Sequence, residues 1–206
     1  MITDKDLLKS ISIIPTWISD NEKLELFKLA HEVPEDGKIV EIGCLYGASS
    51  AALGLSVKAN VKMTIIDNFS WDPSKLEGWR WKFTNENKVK PSKKVVTKYL
   101  ETVGVENFHI IASDSTKIVP EGLQVYKVGD IDLLWVDGGH EADIISYDLK
   151  TFGPYANTIA VHDFHDSYWL DVNEQVYKFL ENHPEFYLDH EVEQIAVLRR
   201  NINQNI

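Results

Sequence analysis

Residues 39–53, IVEIGCLYGASSAAL, predict a buried strand, then a tight turn, then a helix. Three of the first four residues are apolar, which is typical of a parallel strand that is covered on both faces. Gly43 and Gly47 let the backbone turn sharply and approach another group closely. In open α/β folds, ligands bind outside the carboxyl ends of the strands, beside the first glycine-rich turn. This stretch therefore predicts both the fold class and the position of the site.

The composition narrows the classes of function. The chain has 206 residues, and its formal net charge of -11 disfavours nucleic acid or an anionic membrane as the main partner. Cys44 is the single cysteine, so an internal disulfide is excluded. The sequence has neither the pattern of a signal peptide nor an apolar run of the ~20 residues that span a bilayer. We therefore expect a cytoplasmic protein with a small-molecule substrate, and the sequence leaves a homo-oligomer open.

The chain divides into three predicted parts. Residues 1–36 form an N-terminal helical cover, with Thr3 or Asp4 as the cap of one helix and Asp20 as the cap of a second. An alternative is that part of this segment, Trp17 especially, closes over a ligand. Residues 37–200 form the main domain, in which strands alternate with helices and so predict a largely parallel, doubly wound sheet. Residues 201–206 are expected to be a frayed tail.

Residues 68–94 form a long connection that is rich in tryptophan and lysine. Insertions of this length are often lids or binding loops, and aromatic rings can stack on an adenine or an aromatic substrate. The alternative is a satellite hydrophobic cluster under a loop. We therefore expect a lid or substrate insertion and leave the alternative open.

Polar residues follow the second and third predicted strands. Asp67, followed by Asn68, ends the strand that begins at Val61, where an acid can accept hydrogen bonds from both hydroxyls of a ribose. The alternative for Asp67 is the cap of a loop. Ser113 and Asp114 follow the third strand, where they could bind the exocyclic amine of a base. The three strand ends together predict a nucleotide-like cofactor site.

Acids lie at or near the ends of four strands: Glu41, Asp67, Asp137 and Asp163. Several carboxylates at one edge repel each other unless a cation or a ligand's donors compensate. Asp137 and Asp163 come from strands that should be adjacent, and His140 and His165 lie close to them in sequence. Oxygen-rich ligation favours Mg²⁺ or a similar hard ion, so the pattern predicts a divalent site.

Three motifs resemble a known family. The motif Glu41-Ile-Gly43-Cys-Leu-Tyr46-Gly47, followed by Ser49, resembles motif I of class I S-adenosylmethionine-dependent methyltransferases. The segments 136–140 (VDGGH), 147–149 (YDL) and 161–163 (VHD) are similar to the methyltransferase family 24 pattern, a group related to metal-dependent O-methyltransferases of catechol and macrolide-sugar type. The resemblance implies a Rossmann-like, doubly wound α/β fold with a mostly parallel seven-stranded sheet, an antiparallel last strand and helices on both faces.

The resemblance also implies roles for individual residues. The cofactor S-adenosyl-L-methionine would meet the following residues: Glu41, Gly43, Tyr46, Gly47, Ser49, Asp67, Asn68, Ser113, Asp114 and Asp137. Asp137 and Asp163 would bind the metal, and His140 would be the general base. Related enzymes carry an acid or Asn directly after the second metal acid, where this chain has Phe164. His165, Asp166, another residue or water would then be the third ligand.

Two other classes of function remain open from the sequence. A nucleotide-dependent oxidoreductase or hydroxylase would use a similar sheet, although Gly43-x-x-x-Gly47 lacks the G-x-G-x-x-G spacing of a dinucleotide turn. A non-catalytic binding module could keep the cofactor fold without the reaction. The combination of Asp137, His140 and Asp163 favours a metal-assisted O-methyltransferase that acts on a small hydroxylated molecule, such as a sugar or natural product.

Overall fold

The computed structural model describes residues 3–58, 60–70 and 89–201. The helices are α1 (Asp4–Ile11), α2 (Asp20–Glu32), α3 (Ala48–Gly54), α4 (Lys93–Val103), α5 (Ala142–Phe152) and α6 (Leu170–Asn182). The strands are β1 (Lys38–Ile42), β2 (Lys62–Asp67), β3 (Phe108–Ala112), β4 (Ile131–Val136), β5 (Ala156–Val161), β6 (Phe186–Val192) and β7 (Ile195–Arg200).

The strands form one seven-stranded sheet in the order β3-β2-β1-β4-β5-β7-β6. The first five are parallel, whereas β7 runs antiparallel to both β5 and β6. The predicted fold class is therefore confirmed. The order reverses between β1 and β4, so their carboxyl ends border the crevice where ligands of doubly wound sheets bind.

Two hydrophobic cores cover the two faces of the sheet. One core joins the apolar sides of α1, α2, α3 and α4 to residues such as Ile39 and Trp135. The other joins α5 and α6 to residues such as Val40 and Val136. Neighbouring residues of β1 thus point into opposite cores, which explains why the strand is apolar on both faces. The N-terminal helices belong to the first core.

Local signals set most element boundaries. Thr3 caps α1, since its hydroxyl accepts a hydrogen bond from the Asp6 amide. Ser19, rather than Asp20, caps α2 and forms a reciprocal capping box with Glu22. A short 3₁₀ helix, Pro120–Leu123, lies between β3 and β4. The predicted lid lies mostly on residues 71–88, outside the described residues. None of the helices in the described ranges has the length and apolar character needed to cross a membrane.

Candidate functional site

The carboxyl ends of β1, β4 and β5 lie side by side and form the floor of the site. Ile42 pairs with Val136, and Val136 pairs with Val161, so the residues that follow leave the sheet at one edge. The backbone ladder continues one step further, because the Asp137 amide donates to the Ile42 carbonyl at 2.8 Å and the His162 amide donates to the Val136 carbonyl at 3.0 Å. The rigid sheet therefore fixes the backbone of this edge.

Asp137, His140 and Asp163 converge at this edge. Each offers one ligand atom, and these atoms lie within 4.8 Å of one another. His140 Nε2 is 2.5 Å from Asp163 Oδ2, and the His140 ring stacks on Trp169 with centroids 4.6 Å apart and planes 20° apart. All three side chains are partly exposed, so the group can meet a ligand that enters from solvent.

His162 lies directly beneath this group. Its side chain is 6% exposed, and its Nδ1 lies 3.1 Å from Asp137 Oδ1 and 3.3 Å from Asp163 Oδ2. Its Nε2 faces a third carboxylate, since Glu22 Oε1 lies 3.3 Å away. The imidazole of His162 thus lies between the two acids of the group and an acid of α2.

The contacts of His162 control the charges of the site. Burial lowers the pKa of His162, but Asp137, Asp163 and Glu22 together raise it well above the usual value. Burial raises the pKa of Asp137, and the cationic His162 only partly offsets that effect. Burial also acts to raise the pKa of Asp163, but the two histidines outweigh it and hold that pKa well below its usual range. A positive His162 therefore compensates the two acids in this arrangement.

The donor set suits a divalent cation. Two carboxylates supply the oxygen ligands that Mg²⁺ and Mn²⁺ prefer, and an imidazole nitrogen is a ligand for transition metals. Among the His, Cys, Asp and Glu side chains of the described residues, Asp137, His140 and Asp163 form the one group of three or more with this spacing.

The other ligands considered from the sequence lie elsewhere. His165 is not in this group, because its ring Nε2 is 3.3 Å from Glu191 Oε2 and its amide donates to Asn173. Phe164 is fully buried in the core. Asp166 Oδ2 accepts a hydrogen bond from Gln194 at 2.9 Å. The side chains brought together are therefore two acids and His140, with the remaining positions open to water or substrate.

The glycine turn lies against the acid of β4. Gly43 has a φ of +84°, and a Cβ atom at this position would lie 2.0 Å from the carbonyl oxygen of Asp137. Gly47 has a φ of +93° at the start of α3. Both glycines are therefore required by conformation, and Gly43 also by the close approach of the two loops.

Glu41 and Ser49 lie behind this turn. Glu41 is fully buried, and the Ser49 hydroxyl donates to its Oε1 at 2.5 Å. Burial raises the pKa of Glu41 to about 8, so this carboxyl is mostly uncharged at neutral pH. Tyr46 is also buried, and its hydroxyl donates to the Val89 carbonyl at 2.7 Å. These three side chains support the turn from within the core.

Asp67 stands at the end of β2 and holds the same turn. Its Oδ2 accepts the amides of Cys44 and Leu45 at 2.9 and 3.1 Å, and its Oδ1 accepts the Phe69 amide at 2.7 Å. A carboxylate has about four lone-pair sites, so room remains for roughly one further donor. Asn68 is exposed, and its Oδ1 accepts the amide of Ser70.

Ser113 and Asp114 follow β3, the next strand along the same edge. The Ser113 amide donates to the Asp67 carbonyl at 3.1 Å, which connects the two strand ends. Asp114 Oδ1 accepts both the amide and the hydroxyl of Thr116, and these hydrogen bonds lower its pKa. The sheet therefore aligns the predicted cofactor residues of β1, β2 and β3 along one edge.

Sequence reasoning missed Glu22 and the role of His162. His162 lies within the VHD motif of residues 161–163, but nothing in that motif indicates a partner in the N-terminal helix. The capping box Ser19-x-x-Glu22 is visible in the sequence, but such a box is usually a surface feature. Sequence reasoning also missed Trp169, which stacks on His140. The signal that could have found it is an aromatic residue four positions after His165, directly before a helix.

Residues 40–167, more than half of the chain, match the family model Methyltransf_24, described as a methyltransferase domain. No curated protein matches this sequence.

Several solved structures resemble the fold. The O-methyltransferase NovP has a TM-score of 0.67 and 14% identity, with 90% of this chain and 82% of NovP covered. A protein from Corynebacterium glutamicum has a TM-score of 0.66 and 10% identity, with 100% and 94% covered. The O-methyltransferase TomG from Streptomyces achromogenes, involved in tomaymycin synthesis and solved with S-adenosylmethionine, has a TM-score of 0.61 and 15% identity, with 96% and 87% covered. Identities this low establish the fold alone.

Proposed function

Because the chain belongs to the methyltransferase domain family, and is thus a class I S-adenosylmethionine-dependent methyltransferase, we propose that it methylates an oxygen of a small hydroxylated molecule with the help of a divalent ion. The observation that carries this proposal is the convergence of Asp137, His140 and Asp163 within 4.8 Å at the carboxyl edge of the sheet. A sugar or a natural product is the substrate class we favour, in keeping with the involvement of TomG in tomaymycin synthesis.

The cofactor would lie along the ends of β1, β2 and β3. The turn at Gly43 and Gly47 would border its methionine part, and Asp67 would accept a hydrogen bond from a ribose hydroxyl. Ser113 and Asp114 would meet the adenine. Asp67 already binds the turn through two amides, those of Cys44 and Leu45, so turn geometry and ribose contact depend on the same carboxylate.

Asp137 and Asp163 would hold the ion and, through it, orient the substrate oxygen. When bound, S-adenosylmethionine supplies the methyl group and a divalent ion lowers the pKa of the substrate hydroxyl. His140 would then remove the hydroxyl proton, because a neutral imidazole is a suitable base near neutral pH. Since β4 and β5 are paired neighbours in the sheet, the two acids that follow them would hold the substrate oxygen at a defined position.

His140 has a second candidate role as the third metal ligand. Its Nε2 lies close enough to both acids to share one ion with them. A single nitrogen lone pair cannot bind an ion and accept a proton at the same time, so the two roles exclude each other. The favoured role is the base, because carboxylate and water oxygens alone suit a hard ion such as Mg²⁺.

The test is methyl transfer from S-adenosylmethionine to a panel of hydroxylated acceptors, with Mg²⁺ or with a chelator, for the wild type and His140→Ala. We expect S-adenosylhomocysteine to form only with metal, and His140→Ala to abolish turnover while cofactor affinity stays nearly unchanged. Near-normal kcat in the variant would exclude His140 as the base. A fall in metal affinity of His140→Ala would instead assign it as a ligand.

The remaining properties stay predictions. The net charge of -11 favours a small-molecule substrate over nucleic acid, since long-range repulsion opposes a polyanion. Cytoplasmic location and a homo-oligomeric state are likewise predictions that rest on the sequence.

A further inference from the structure

We infer that Glu22, in the N-terminal helical cover, is a positioning residue for the metal-binding acids and acts through the ring of His162. This inference rests on the proposed function, because it assumes that Asp137 and Asp163 bind a divalent ion. It also makes α2 part of the site, whereas a helix that only covers the sheet would have no effect on ion binding.

Glu22 is held in place by three interactions of its own. Its Oε2 accepts the Ser19 amide at 2.7 Å, its Oε1 accepts the Gln194 amide at 3.2 Å, and its own amide donates to the Ser19 hydroxyl at 3.2 Å. The residue is 2% exposed. A capping box needs only the contacts with Ser19, so the burial of this carboxylate against β5 and the β6–β7 turn requires a further explanation.

The further explanation is the contact between Glu22 Oε1 and His162 Nε2 at 3.3 Å, which is within ion-pair distance but does not have hydrogen-bond geometry. The His162 side chain is 6% exposed, so its packing confines the ring, and its two nitrogens face different partners. Here one nitrogen faces Glu22, and the other faces Asp137 and Asp163 at 3.1 and 3.3 Å. Trp135, which is fully buried, supports the ring at a centroid distance of 5.6 Å. Glu22 therefore favours the ring orientation in which Nδ1 meets the two acids.

The orientation of His162 matters because the two acids repel each other. A donor from His162 to Asp137 and Asp163 holds both carboxylates at the spacing an ion needs, so the site is preorganised. Partners of this kind, which orient metal ligands without touching the ion, typically contribute 10–100-fold to metal affinity. We therefore expect the loss of Glu22 to weaken ion binding even though Glu22 does not touch the ion.

The test is Mn²⁺ affinity, measured by electron paramagnetic resonance of the free ion, which requires neither substrate nor turnover. Glu22→Ala should weaken Mn²⁺ binding about 10-fold or more, and Glu22→Gln should restore most of it, because Gln also serves in a capping box and can contact Nε2. Ser19→Ala is the matched control: it loses the side-chain cap of α2 but keeps the Glu22 carboxylate, and so should keep wild-type Mn²⁺ affinity.

A double-mutant cycle with His162→Asn tests whether Glu22 acts through His162. Glu22→Ala should have less than about a 2-fold effect on Mn²⁺ affinity when His162 is already replaced, because coupled residues are non-additive. If Glu22→Ala does not fold, Glu22→Leu, which fills the same space without contacting Nε2, takes its place in the cycle.

An undiminished effect of Glu22→Ala in the His162→Asn background would overturn the inference, and so would three other results. The first is wild-type Mn²⁺ affinity in Glu22→Ala or Glu22→Leu, and the second is an equal loss in Ser19→Ala, which would assign the effect to the helix cap. Both leave the proposed function intact, because the wild type still binds the ion. The third is a wild type that binds no Mn²⁺, which would remove the inference together with the metal-assisted part of the proposed function.

Discussion

Replacing Gly43 by alanine should displace the turn of β1 from the acid of β4. The added methyl group would lie 2.0 Å from the Asp137 carbonyl oxygen and 2.7 Å from the Gly138 Cα atom. Both neighbours are backbone atoms, so neither can move aside by a simple side-chain rotation. Because Asp137 follows directly from β4, the relief of this clash requires movement of a proposed metal ligand.

Gly43→Ala should lower the free energy of unfolding through two separate effects. The φ of +84° costs a non-glycine residue about 1–2 kcal/mol, and overpacking against rigid neighbours adds about 1–3 kcal/mol. Gly104→Ala is the matched control, because its φ is +88° and nothing lies within 4 Å of the added Cβ. The control should therefore lose only the conformational part, about 1–2 kcal/mol.

The assay is urea unfolding of both variants, followed by titration with S-adenosylhomocysteine. We expect Gly43→Ala to be less stable than Gly104→Ala by about 1–3 kcal/mol and to lose cofactor affinity, while Gly104→Ala binds normally. Equal unfolding free energies for the two variants would refute the claim that the loops meet as closely as the structure has them.

Three further substitutions test separate parts of the account. Burial raises the pKa of Asp148 to about 7, so between pH 4 and 7 the native state holds a proton that the unfolded state has lost, and wild-type stability should fall as pH rises through that window. Asp148→Asn removes this loss. The stability of the variant relative to wild type, followed by thermal melting, should therefore rise by about 4 kcal/mol between pH 4 and pH 8. A stability difference that stays constant over this range would show that burial does not raise the pKa of Asp148. Asp67→Asn should weaken S-adenosylhomocysteine binding about 10–100-fold, because a hydrogen bond to a charged group contributes about 1.5–3 kcal/mol. Unchanged affinity in calorimetry would show that Asp67 holds the turn but does not contact the cofactor. Trp169→Leu removes the ring stacked on His140, worth about 0.5–1.5 kcal/mol, and should lower kcat about 2–10-fold with unchanged cofactor affinity; a loss of affinity instead would place Trp169 at the cofactor.

The fold was predictable because its signals are local and repeated. Each strand of the parallel part is a short apolar run, and the turn at Gly43 and Gly47 occurs where the chain leaves β1. The convergence of Asp137 and Asp163 also followed from topology, since adjacent parallel strands end at the same edge. The seven strands and the antiparallel last strand were implied by the family resemblance rather than by these signals, and the structure has both.

The parts that were not predictable depend on pairings between distant segments. Nothing near Glu22 in the sequence indicates that its carboxylate meets His162, and the capping box alone gives a sufficient local reason for a Glu there. Asp67 illustrates the same limit, because its three backbone donors come from the turn after β1 and from Phe69. The sequence indicates an acid at a strand end but not how much of its hydrogen-bonding capacity the fold has already used.

The most direct test of the central claim is calorimetric titration of the protein with S-adenosylhomocysteine, with and without Mg²⁺. We expect micromolar binding of S-adenosylhomocysteine, together with a separate Mg²⁺ binding event that Asp163→Asn loses. Absence of S-adenosylhomocysteine binding under every metal condition would contradict the proposed reaction and would favour a domain that keeps the fold without the chemistry.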